Sequence, residues 1–150
     1  MILIRLVTSK SSLCLRIRNE VTSRHTYTSV GGGGTLPSEA EQLVTDGDNI
    51  LYFSPASIWE IGIKKSLGRS DFKVDPEVLR RGLVDNHYIE LPISSLHALG
   101  VNDLPHLHKD PFDRMLLAQA KVEGITLLTS DSALRGYPGP MFFVSRTAAW

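Results

Sequence analysis

Three dipeptides fix the start of a helix each in this chain: Ser54-Pro55, Asp75-Pro76 and Asp110-Pro111. A capping side chain accepts a bond from an orphan N–H of the first turn, and proline is tolerated at the first helical position because its missing N–H is unneeded there. The helix opened by Asp110-Pro111 is the strongest, with Met115, Leu116, Ala118 and Val122 on an apolar stripe and Gly124 as its stop. Short apolar runs separate these helices. Residues 50–54, 88–92, 125–129 and 141–144 read as strands. Further helices are expected over 37–46, with Gly47 as a stop, and over 94–99, and a turn or two over 131–134. Strand and helix alternating at these lengths predict an α/β fold, a parallel sheet covered on both faces. In such sheets ligands sit at the carboxyl ends of the strands.

With 150 residues, 42% of them apolar, the chain suits one domain of ordinary core size. No apolar run approaches the roughly 20 residues of a membrane span, so a soluble, non-membrane protein is expected. Cys14 stands alone, which rules out an internal disulfide and makes a reducing, cytoplasmic setting the default. The formal net charge is zero, but the zero conceals a split. Arg5, Lys10, Arg16, Arg18 and Arg24 face only Glu20 within residues 1–34, and the remainder is net acidic. A generic grip on nucleic-acid backbone needs a basic surface, so any such contact here is local or metal-mediated.

Three acids stand where strand gives way to helix: Glu60, Asp113 and Asp131. Each has a structural explanation. Asp113 is the N3 acid that a helix dipole favours, Glu60 precedes Lys64 by four residues, and Asp131 can cap a short helix. Jointly these explanations do not say why every such junction carries an acid. Three converging carboxylates repel one another unless a cation lies between them, and Mg²⁺ or Mn²⁺ is the expected cation. Such an ion orients a water, lowers its pKa and offsets charge growing on a phosphate. His106 and His108, two apart and without cysteine partners, are a weak metal signal. Trp59 is expected in the core, Lys64, Lys65 and Arg69 on a solvated face, and Thr129 and Ser130 beside Asp131 as its supports.

The segments SPASIWEIGIKKSLGR, ELPISSLHAL, HKDPFDRMLLAQAKVEG and LLTSD, in this order and spacing, resemble the VapC-type PIN-domain toxins of bacterial toxin–antitoxin pairs, from about Leu36 to Val144. The resemblance implies a Rossmann-like PIN fold, a Mg²⁺-dependent endoribonuclease acting on RNA, a homodimer, and inhibition by a cognate antitoxin. It assigns the family's second, third and fourth acids to Glu60, Asp113 and Asp131, as metal ligands and catalytic residues. Asp110, Thr129 and Arg114 are the candidate supporting residues.

The family's first acid lies in an N-terminal strand of the type LLLDTHxLLW, and residues 1–34 contain no match to it. The central strand is therefore expected to be missing or degenerate. The chain divides into residues 1–34, a disordered or out-of-frame segment, and residues 35–150, the PIN-like domain. Codons compatible with residues 19–30, shifted by one base, can spell Met, then Lys or Arg, then Leu-Leu-Leu-Asp-Thr-His-Ile-Leu-Leu-Trp. Gly31 to Gly34 imply a G-rich tract where a base can be gained or lost. Two other readings compete with an active nuclease. One is an inactive PIN remnant that only binds antitoxin. The other takes the Ser-, Thr- and Arg-rich start as an organellar presequence.

Overall fold

The computed structural model describes residues 38–68 and 74–144 in full, together with the backbone of three strands at 2–4, 14–18 and 25–29. In chain order the elements are β1 (Ile2–Ile4), β2 (Cys14–Arg18), β3 (His25–Ser29), α1 (Ser38–Thr45), β4 (Leu51–Phe53), α2 (Pro55–Ser66) and α3 (Pro76–Asp85). These are followed by β5 (Ile89–Glu90), α4 (Ser95–Asn102), α5 (Pro111–Glu123), β6 (Thr126–Thr129), a 3-10 turn (Ser132–Gly136) and β7 (Met141–Phe143).

Cap chemistry sets the helix starts where the sequence places them. Ser54 Oγ accepts the Ala56 N–H at 3.1 Å, and Asp75 Oδ1 accepts those of Glu77 and Val78. Asp110 Oδ1 accepts the N–H groups of Phe112 and Asp113 at 2.9 and 3.4 Å. At the other end of α5, Gly124 adopts φ 65°, a left-handed conformation that costs glycine nothing.

Five strands form one parallel sheet in the order β5-β4-β1-β6-β7. Its centre is β1, with Ile2, Leu3 and Ile4 opposite Leu51, Tyr52 and Phe53 on one side and Thr126, Leu127 and Leu128 on the other. The central position is thus filled, and of the two expectations, missing or degenerate, the strand meets the second. It is a degenerate form of the strand: three residues, Ile-Leu-Ile, and no acid among them. A run of apolar, largely β-branched residues suits a strand flanked on both sides, and without it the facing edges of β4 and β6 would lose their ladder partners. β2 and β3 pair antiparallel as a separate two-stranded sheet.

Successive residues of a strand point to opposite faces, and the core obeys this closely. Leu128 packs with Phe53, Ile61, Leu79, Leu83 and Tyr88 on one face. Its neighbour Leu127 packs with Leu104, Leu116, Leu117, Ile125 and Leu134 on the other. Both faces are therefore covered, as the alternating sequence predicts. Two side chains depart from expectation. Trp59 is 66% exposed rather than in the core, its ring edge-on to Phe112 with centroids 5.2 Å apart. Val122, counted on the apolar stripe of α5, is 43% exposed.

Candidate metal centre

Because all five strands run in parallel, the ends of β4, β1 and β6 (Phe53, Ile4 and Thr129) share one edge of the sheet. α2 begins directly after β4 and carries Glu60 in its second turn. Asp131 follows β6 by two residues. α5 leads back through Gly124 into β6, which brings its first turn, with Asp113, to the same edge. Topology alone thus delivers all three sequence-predicted acids to the carboxyl edge.

Their immediate surroundings differ. Asp113 is fully buried, and its Oδ2 lies 3.1 Å from His108 Nε2. Glu60 is also buried, with Oε1 2.6 Å from Lys64 Nζ. The expected i,i+4 pair therefore exists, but in a half-enclosed site where Lys64 too is largely covered, unlike a solvated face. Lys65, by contrast, is half exposed and pairs with Asp75; Arg69 lies outside the described residues. Asp131 caps the 3-10 turn, Oδ1 accepting the Ala133 N–H at 2.9 Å. Thr129 is buried and supports it through the main chain, its Oγ1 accepting the Asp131 N–H at 3.1 Å.

Among the described residues, one group brings three ligating side chains within 4.8 Å of one another: His108, Asp110 and Asp113. Glu60 and Asp131 stand outside that group. The two carboxylates suit a divalent cation, since their oxygens serve Mg²⁺ and Mn²⁺ alike. The structure places His108, a weak metal signal in the sequence, beside Asp113. Its signal was the spacing His108-x-Asp110 just ahead of a helix cap, which only acquires meaning when the loop folds back on α5.

Arg114, beside Asp113, turns away from the acids. Its guanidinium is buried and donates to the carbonyls of Pro105, Val101 and Leu104 and to the Tyr137 hydroxyl, at 2.7–3.2 Å. No carboxylate pairs with it among the described residues. One of these carbonyls, that of Val101, lies in the last turn of α4, where a helix presents negative partial charge to a cation.

A parallel sheet with acids at its carboxyl edge and this DPFDR helix start can be compared with known proteins. A family model described as PIN domain matches residues 33–140. The chain belongs to the PIN domain family. This PIN domain also matches a chain in the crystal structure of VapBC2 from Rickettsia felis bound to a DNA fragment from their promoter, with TM-score 0.52 and 14% identity, over 69% of this chain and 81% of that one. The likeness is one of fold. No curated protein matches significantly.

Proposed function

We propose that this PIN domain is a metal-dependent endoribonuclease toxin of the VapC type, cutting RNA phosphodiesters in the cytoplasm and neutralised by a cognate antitoxin. The observation that carries this reading is the grouping of Asp113, Asp110 and His108 at the edge of the sheet where Glu60 and Asp131 also emerge. Asp113, Glu60 and Asp131 would hold Mg²⁺ or Mn²⁺, which when bound supplies a polarised water and offsets charge on the phosphate. The chain's own part is to keep these carboxylates aligned. The N–H groups of the first turn of α5 favour a negative charge at Asp113. The antitoxin partner is supported by the fold shared with a toxin–antitoxin complex, and a homodimer is part of the same reading.

Purified chain incubated with a mixed RNA pool should cleave it only with added Mn²⁺ or Mg²⁺, and chelation should stop the reaction. Asp113→Asn should remove cleavage; an undiminished rate would sink the site assignment.

One observation favours a second reading, an inactive remnant that binds antitoxin alone. β1 has no acid, and the residue after it is Arg5 rather than an aspartate. A cation site short of one carboxylate binds its ion weakly, so we expect the chain to be an impaired nuclease. Residues 1–34 are, on this proposal, an out-of-frame product. Sequencing the gene across the codons of Asn19 to Thr35 tests that: a frame lacking Asp after three leucines refutes it. A frame-restored chain that cleaves RNA at least about tenfold faster, a difference of about 1.4 kcal/mol in barrier, would support it.

A further inference from the structure

The loop ahead of α5 is held more firmly than a connection requires. The Tyr137 hydroxyl accepts the His108 N–H at 2.7 Å, donates to the His108 carbonyl at 3.2 Å, and accepts from Arg114 Nη1 at 3.1 Å. One donor and two acceptor sites are all a hydroxyl has, so Tyr137 is saturated. Arg114 then pins the preceding stretch through Val101, Leu104 and Pro105. The main chain of His108 is thereby fixed at both its N–H and its carbonyl by one buried side chain, Tyr137, which Arg114 holds in turn, and its imidazole is delivered onto Asp113.

A carboxylate that serves a cation is ionised and can only accept, so in that state the 3.1 Å contact requires Nε2 of His108 to carry the hydrogen and Asp113 Oδ2 to receive it. Asp110 is less able to help, since its Oδ1 is committed to the helix cap. The His108 side chain is 30% exposed and Asp113 1%, so the ring stands between the buried carboxylate and solvent. We infer that His108 is a positioning residue: its Nε2–H holds Asp113 in the orientation in which that carboxylate serves a divalent cation. The inference rests on the proposed metal site and adds a residue that acts through Asp113 without touching the ion.

The test is Mn²⁺ titration of the full chain, followed by electron paramagnetic resonance, for wild type, His108→Ala, His108→Gln and Tyr137→Phe. Loss of a hydrogen bond to a ligating carboxylate typically weakens metal affinity about 10–100-fold, and His108→Ala should do so. His108→Gln places an amide N–H near the same point and should restore most of the affinity, which a purely structural role for the ring would not predict. Tyr137→Phe should weaken binding in the same direction from outside the site, with far-UV circular dichroism confirming that each variant is folded. Unchanged affinity in His108→Ala overturns the inference while leaving the metal site standing. Nitrogen hyperfine coupling to Mn²⁺ that vanishes in His108→Ala also overturns it, because His108 is then a ligand. Absence of Mn²⁺ binding by the wild type overturns the inference and the metal site together.

Discussion

Arg114→Met should be among the most damaging single substitutions in the chain, although its guanidinium pairs with none of the carboxylates described above. The guanidinium makes four hydrogen bonds, three of them to main-chain carbonyls, in a site where it is 8% exposed. Bonds to a charged donor contribute about 1.5–3 kcal/mol each, but they are not additive. Val101 O also accepts a long bond from the Leu104 N–H at 3.3 Å, so part of its need is met without Arg114. Methionine fills much of the volume and satisfies none of the acceptors. A net loss of about 3–5 kcal/mol follows, because two or three buried acceptors are left unmet at about 1–3 kcal/mol each. For a domain of this size about 1 kcal/mol corresponds to about 2–4 °C, so the melting temperature should fall by about 6–20 °C. Arg114→Lys should recover less than half of it, because one ammonium cannot span four acceptors set in a fork. Thermal melts followed by circular dichroism decide the matter. A melting point for Arg114→Met within about 2 °C of wild type would refute the anchoring role.

Tyr88→Phe should be neutral or stabilising by up to about 1 kcal/mol, since the buried hydroxyl has no hydrogen-bond partner among the described residues; a loss in a urea melt would show a partner in solution. Burial also pushes the Tyr88 hydroxyl far above the ordinary tyrosine range, so Tyr88→Phe should leave the spectrophotometric alkaline titration of the folded protein unchanged. The Lys65 ammonium and the first-turn N–H groups of α3 hold Asp75 below its ordinary value of 3.8. A depressed carboxylate contributes stability above its unfolded pKa and loses it as pH falls through the folded one. Asp75→Asn, which keeps a capping oxygen, should therefore flatten the acid limb of the stability curve below about pH 4; an unaltered limb would mean that the pair is solvated away.

Local chemistry made most of the elements readable. Ser54-Pro55, Asp75-Pro76 and Asp110-Pro111 fix helix starts through bonds spanning two or three residues, and a short window contains all that is needed. Long-range bonds were not readable in this way. His108 reaches Asp113 because Tyr137, distant in sequence, grips its main chain, and nothing within HLHKD reports that grip. Trp59 was assigned to the core on its type, yet its neighbour is Phe112 on another helix, at the surface. The central strand was legible only as missing or degenerate, for a different reason. It was sought by its acid, while what qualifies Ile2–Ile4 for the position is apolar character alone.

The placement of β1 has a consequence for biosynthesis. Its partners lie far apart in the chain, β4 (Leu51–Phe53) on one side and β6 (Thr126–Thr129) on the other. On the ribosome β1 and β4 emerge early and can pair, but the other edge of β1 stays open until β6 has been made. Pairings between distant segments are slow to form, and an uncovered apolar edge invites pairing with another nascent chain. Chaperone demand should therefore be greatest in the interval before residue 126 leaves the exit tunnel, and should fall once β6 closes the sheet.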